Sequence, residues 1–373
     1  MSAAWLGTSS GPLTFGWDVG GAHLKVCVAD AAGCVLDVGQ WACPLWEGLH
    51  HLRSAIDLVF ARWPAALSDD AHHAVTMTGE MVDLFPSREE GVCMLADALA
   101  ERLGRRLSFF AGAQGWVEAG QCAERWRSVA SANWLATASW VAAHRGDAVL
   151  VDIGSTTTDI VPIAGARVCA RGADDAGRLA TGELVYQGVV RTPLCALASR
   201  IEFGGVQVNV MNEWFATTAD VYRLTGELDA ACDLHPSADR GPKTEAASRV
   251  RLARMIGRDA NEATADDWHR FAMAWRARQL EEVAENLARV EAAVGRSGRS
   301  GGWARSGGPP LVGAGCGRFL VAGLARDLGR EYIDFADLVK APNACGDWAS
   351  TCAPSVAVAL IAGQRRVSIG RAA

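Results

Sequence analysis

Apolar and polar positions alternate in short runs near the start of the chain and then shift to a helical spacing, and this change of period recurs. Residues 13–40 read as three strands joined by glycine turns. Leu49, Leu52, Ile56, Val59 and Trp63 then fall three or four apart, which lays them on one face of a helix. The pattern predicts a strand at 74–77 and a helix over 88–103 with Val92, Leu95, Leu99 and Leu103 inward. A strand at 107–110 and a helix over 133–143 follow. Strands alternating with helices at these lengths predict α/β layering.

The second half opens with another strand–turn–strand run, 149–163, and then grows. A strand at 206–210 and helices over 212–223 and 245–256 are predicted. The longest helix starts at Thr264, whose hydroxyl can cap the N–H of Asp267. Its stripe of Trp268, Phe271, Trp275, Leu280, Val283, Leu287, Val290 and Val294 reads as core packing and not as a cofactor box. Residues 296–310 are rich in Gly and Ser and read as a surface loop. At 311–318 a strand, a glycine turn and a helix start follow one another. Gly313 and Gly315 there either contact an anion or nucleotide or only let two backbones pack closely. Arg318 takes the sixth place, so this is not a G-x-G-x-x-G fingerprint. An apolar helix over 354–362 comes last.

Two stretches concentrate the chemistry. In 149–163, read V-L-V-D-I-G-S-T-T-T-D-I-V-P-I, an apolar run ends in Asp152. Gly154, Ser155, Thr156, Thr157 and Asp159 come next, before a second apolar run. Such a turn presents N–H groups and hydroxyls to one point, as a phosphate requires. Asp152 and Asp159 could hold a hydrated Mg²⁺ beside it. A plain hairpin is the other reading of this stretch taken alone. Residues 14–30 repeat it. With Asp18 set on Asp152, Gly20 falls on Gly154, Gly21 on Ser155 and Lys25 on Asp159. Each copy runs on through a short turn into a third strand, 34–38 and 167–170.

Composition narrows the setting. A chain of 373 residues can bury two cores of ordinary size. Its net charge of −6 gives no basic field for nucleic acid, so no nucleic-acid partner is expected. No run approaches the ~18 apolar residues of a membrane span, and residues 1–12 lack a charged start before a hydrophobic run. An unexported, cytoplasmic protein with no membrane partner is expected. The 11 cysteines show no C-x-x-C pairing, which suits reduced thiols. Of 36 basic residues only Lys25, Lys243 and Lys340 are lysines. Lys25 lies within the first glycine loop, where a compact ammonium is of use. Lys243, in a polar turn before a helix, either reaches a phosphate or carboxylate or is solvated.

The paired loops resemble the first and second phosphate motifs of the actin, sugar-kinase and Hsp70 superfamily, and are most similar to its hydantoinase/oxoprolinase-related branch. Residues 77–83 (M-T-G-E-M-V-D), 131–136 (S-A-N-W-L-A), 215–226 (F-A-T-T-A-D-V-Y-R-L-T-G) and 251–259 (R-L-A-R-M-I-G-R-D) resemble one small family more closely. That family comprises tetrahydromethanopterin-linked C1-transfer pathway proteins, whose characterised archaeal members make the furan–phenol ether of methanofuran. The resemblance implies an α/β fold of two duplicated ribonuclease H-like (actin-like ATPase) halves facing a central cleft. Residues 1–145, completed by a C-terminal helix 353–373, would form the first half, and 146–352 the second.

It also implies a transferase. A furan CH₂–O–diphosphate would lose pyrophosphate while the phenol oxygen of tyramine, tyrosine or a glutamylated derivative attacks the carbon. Asp18 and Asp152 would hold Mg²⁺ through water. Gly20, Gly21, Gly154, Ser155, Thr156 and Thr157 would donate to phosphate, and Lys25 would neutralise the leaving group. Gly313 and Gly315 would lie where the superfamily binds adenosine. Glu80 or Asp159 would accept the phenol proton, unless Glu80 is a structural contact after its strand. Two other readings stand beside this one: an ATP-dependent kinase or hydantoinase/oxoprolinase-type hydrolase, and a non-catalytic phosphate-binding protein. Ala22-His23 replaces the Thr usual after the first glycine pair, so His23 either donates in its place or points to the opposite sheet face. The helix over 264–294 offers a face for a homodimer.

Overall fold

The computed structural model describes residues 11–296, 303 and 307–372; residues 297–302 and 304–306 of the predicted 296–310 loop lie outside them. Contacts divide the chain into two compact units. One holds the described residues up to Gly146, Ala166–Val168 and those from Asp334 onward. The other holds Asp147–Gly165 and the described part of Cys169–Ile333.

The first unit begins with β1 (Thr14–Val19), β2 (His23–Ala29) and β3 (Val35–Ala42), an antiparallel meander. Next come α1 (His50–Arg62), β4 (His72–Met77), α2 (Arg88–Leu103), β5 (Leu107–Phe110), β6 (Trp116–Val117), α3 (Trp126–Val129) and α4 (Asn133–His144). The sheet runs β3-β2-β1-β4-β5-β6, with β4 parallel to β1 and β5 parallel to β4. Phe15, Trp17 and Val19 alternate onto one face, where they pack with Leu24, Val26 and Val28 and the inner sides of α1 and α2. No side chain caps α1 at Leu49. Burial of Leu52, Ile56 and Val59, about 1.5–3 kcal/mol each, outweighs the ~1 kcal/mol a cap supplies.

The second unit repeats the opening with β7 (Ala148–Ile153) and β8 (Thr158–Ala164), again antiparallel. The next strand in sequence, β9 (Arg167–Val168), is shorter than its predicted 167–170, and its residues group with the first unit. Then come α5 (Asp175–Thr181), β10 (Leu184–Val185), the hairpin β11 (Arg200–Phe203) and β12 (Val206–Asn209), α6 (Thr218–Thr225) and α7 (Glu245–Arg254). α8 (Ala265–Arg296), β13 (Leu311–Ala314), α9 (Arg318–Asp327) and β14 (Tyr332–Asp334) follow. The sheet order is β10-β8-β7-β13-β14, with β13 parallel to β7. The helix predicted over 212–223 instead begins at Thr218. Thr217 and Asp220 form a reciprocal capping box there, which stops the helix from starting earlier. In α8 the stripe from Trp268 to Val294 lies on the core, and Thr264 caps Asp267 as its spacing predicts.

The chain then adds α10 (Gly346–Thr351) and α11 (Ala353–Ala372) to the first unit. α11 packs on β1 at Gly16, where a Cβ would lie 2.1 Å from the carbonyl oxygen of Ser355. Each unit thus has one central strand, antiparallel to the next in sequence and parallel to a later one. This is the ribonuclease H-like core, present twice. Among the described residues no single helix is long and apolar enough to cross a membrane.

Candidate functional site

Each unit places an aspartate at the C-terminal end of its central strand. In the first, Asp18 sits between Lys25 of β2 and Thr76 of β4 in register. The Lys25 ammonium is 3.8 Å from Asp18 Oδ2, and both Asp18 and Thr76 are buried. Since side chains alternate along β2, His23 shares the face of Lys25, so the alternative of the opposite face fails.

The second unit puts Asp152 between Asp159 of β8 and Ala314 of β13. Two carboxylates opposite one another repel. Arg178 of α5 answers that charge, donating from Nη1 to Asp159 Oδ1 at 2.7 Å and from Nη2 to the Glu183 carbonyl at 2.9 Å. Arg178 is 1% exposed. The first loop therefore carries its cation on the neighbouring strand, while the second imports one from a helix.

The turns themselves are alike. Gly20 N–H donates to His23 O at 3.0 Å, and Gly154 N–H donates to Thr157 O at 2.8 Å. Both glycine amides thus donate inside their own turns. A later loop then caps each turn on the carbonyl following the aspartate. Thr78 N–H donates to Val19 O at 2.9 Å, and Gly317 N–H to Ile153 O at 2.8 Å. Ser155 Oγ and Thr156 Oγ1 are 3.3 Å apart at the tip of the second loop.

Gly315 is brought against Asp152. Its φ is +80°, and a Cβ there would lie 2.2 Å from Ile153 O and 2.5 Å from Asp152 Oδ1. Gly313 is needed for packing, since its Cβ would meet the Tyr332 ring at 2.6 Å. Glu80 sits in a short helical turn after β4, 1% exposed, where Ser131 Oγ donates to Oε1 at 2.7 Å and Arg88 lies 3.5 Å away. Lys243 is engaged elsewhere: its ammonium donates to Asp233 O at 2.5 Å and lies 3.2 Å from Asp233 Oδ1. Asp233 also pairs with Arg223, which joins the buried cluster of Asp220, Ser248 and Arg251.

Sequence reasoning missed Arg178, Thr76 and residues 188–191, which rest on the second loop. Only the like-charged pair Asp152 and Asp159 hinted that a cation was needed; nothing in spacing pointed to α5.

A family model for hydantoinase/oxoprolinase matches residues 72–362. The chain belongs to the hydantoinase/oxoprolinase family. Within reach of this family member is a Methanocaldococcus jannaschii protein, 26% identical over 352 residues that cover 93% of this chain and 96% of that one. It is named (4-{4-[2-(gamma-L-glutamylamino)ethyl]phenoxymethyl}furan-2-yl)methanamine synthase. A Methanococcus vannielii protein of the same name is 34% identical over 150 residues, 39% of this chain and 66% of that one. Among solved structures, the activator of 2-hydroxyisocaproyl-CoA dehydratase from Clostridium difficile aligns over 97% of this chain and 98% of its own, at 12% identity and a TM-score of 0.44.

Proposed function

We propose that this hydantoinase/oxoprolinase family member is a transferase of methanofuran-type cofactor biosynthesis. It joins a furanylmethyl diphosphate to a phenol as an ether and releases diphosphate. The observation that carries this reading is the match along nearly the full length of both chains to a synthase whose product contains a phenoxymethyl-furan ether.

The bonds balance simply. The CH₂–O bond to diphosphate breaks, with its electron pair leaving on oxygen, and a phenol oxygen lone pair forms the new C–O bond. The phenol proton passes to a base. Lys25 neutralises the leaving group in this reading, which is supported by its partly exposed ammonium in the first glycine loop beside Asp18. With the amides of Gly20 and Gly154 occupied, Gly21, Ser155, Thr156 and Thr157 supply the phosphate donors. Asp159, 14% exposed in its side chain, takes the proton. Glu80 is enclosed by Ser131 and Arg88 and acts as a strut.

Mg²⁺ fits this donor set in one form only. No group of three or more His, Cys, Asp and Glu side chains capable of caging a metal occurs among the described residues. Mg²⁺ keeps several waters and takes one or two carboxylates plus phosphate oxygens. Asp18 in the first unit and Asp152 in the second are each a buried carboxylate of the kind such a hydrated ion takes. When bound, Mg²⁺ offsets charge on the departing diphosphate.

The test is a pair of incubations with Mg²⁺. One contains ATP alone; the other contains (aminomethyl)furanylmethyl diphosphate with tyramine, tyrosine or a glutamylated tyramine. The reading expects ether and diphosphate in the second and no ADP in the first. ADP without ether assigns the chain to ATP-dependent chemistry instead.

A further inference from the structure

We infer that a buried polar relay through Gly188, Thr218, Gln279 and Tyr222 sets the geometry of the second glycine loop, with Gln279 as its positioning residue. The inference rests on the reading of that loop as the diphosphate site. Residues 189–191 lie directly on it. Val189 N–H donates to Gly154 O at 3.0 Å, and the N–H groups of Val190 and Arg191 donate to Ser155 O at 3.1 and 2.8 Å. Gly188 makes this approach possible: a Cβ would fall 2.4 Å from both the Ser155 carbonyl carbon and the Thr156 nitrogen.

Gly188 is itself held from behind. Its N–H donates to Thr192 Oγ1 at 2.8 Å. Its carbonyl accepts from Thr218 Oγ1 at 2.9 Å and from Gln279 Nε2 at 3.0 Å. Tyr222 Oη donates to Gln279 Oε1 at 2.5 Å, which fixes which way the amide faces. Thr218, Tyr222 and Gln279 are all 1% exposed or less. Two donors use both lone pairs of the Gly188 carbonyl, and removing the Gln279 amide takes one of them away and also deprives the buried Tyr222 hydroxyl of its acceptor.

Two features of the chain acquire a reason. Thr218 and Tyr222 lie in the stretch 215–226, which marks the family yet has no part in the chemistry itself. Gln279 occupies the core stripe of α8, four residues from both Trp275 and Val283, where the helical period calls for an apolar side chain. A polar residue fully buried there serves its hydrogen bonds. Loop donors held this way need no rearrangement when charge develops on the diphosphate.

Amide hydrogen exchange on the full chain tests the relay without any substrate, so a failed relay and a failed reaction are read separately. In Gln279→Leu, amides of residues 154–158 and 189–191 are expected to exchange at least about fivefold faster, the loss of roughly one net hydrogen bond, while those of β1 and α1 keep their protection. Gln279→Glu keeps the volume and is expected to protect the loop at low pH, where its carboxyl proton donates to Gly188. That protection is lost as pH rises through its titration. If Gln279→Leu fails to fold, Gln279→Glu decides. Wild-type loop exchange in a folded Gln279→Leu, or a Gln279→Glu profile independent of pH, overturns the inference.

Discussion

Asp18 and Lys25 face one another across β1 and β2, with the ammonium 3.8 Å from Oδ2. The matching pair in the second unit, Asp152 and Asp159, brings two carboxylates together. A repeated backbone thus carries unlike charges in one copy and like charges in the other, and the copies are suited to different work. In the proposed reaction the first would offer a cation to the leaving group, and the second a carboxylate, restrained by Arg178, to the proton.

Lys25→Met keeps the length of the side chain and removes its charge. It is expected to lower kcat for ether formation by about 10²–10³-fold, the usual cost of losing one aimed charge. Thermal melting should also fall, because the variant takes the ammonium away from the Asp18 carboxylate, which is only 5% exposed. Steady-state rates beside a melting curve check both halves of this expectation.

Arg178→Met strands the Asp159 carboxylate beside Asp152. Breaking a buried pair from one side costs about 3–5 kcal/mol, readable as a fall in the urea midpoint. The double variant Arg178→Met/Asp159→Asn should regain much of that stability and remain inactive. Recovery of activity in the double variant would remove Asp159 from the reaction.

Gly315→Ala and Gly165→Ala separate backbone strain from collision. Both glycines have positive φ, but nothing lies within 4 Å of a Cβ at Gly165. Gly165→Ala should cost about 1–2 kcal/mol and leave activity intact. Gly315→Ala also presses on Ile153 and Asp152 and should abolish turnover while retaining the fold by circular dichroism.

Acid stability depends on His73. Its ring accepts from Trp17 Nε1 at 3.1 Å inside the first core. Burial chiefly, with proximity to His72 against a hydrogen bond at Ala66, lowers its pKa to about 4. The unfolded chain therefore binds the extra proton first, near pH 6.5. Stability from this group is complete above about pH 6.5 and drains as pH falls towards about 4, by up to ~3 kcal/mol. His73→Gln keeps an acceptor for Trp17 without a proton to gain, and should flatten the fall in urea midpoint over that window.

Local signals in the chain carried much of this structure. The doubled acid–glycine turn foretold β1–β2 and β7–β8, and three- and four-residue spacing foretold α1, α2 and the core stripe of α8. What stayed hidden depends on distant partners. The tie of Asp159 to Arg178 crosses from β8 to α5. The engagement of Glu80 by Ser131 spans 51 residues. The glycine amides looked available until the turns closed on them. Pattern reveals which residues are chemically able; only packing reveals which are already occupied.

The most direct measurement follows the phenol oxygen. Wild-type protein, Mg²⁺ and (aminomethyl)furanylmethyl diphosphate are incubated with a tyramine derivative whose phenol oxygen carries a heavy isotope, without ATP. Mass spectrometry then reads the products. The account predicts an ether that retains the heavy oxygen, with unlabelled diphosphate formed in equal amount. Label lost from the ether, or no ether in the absence of ATP, would contradict it.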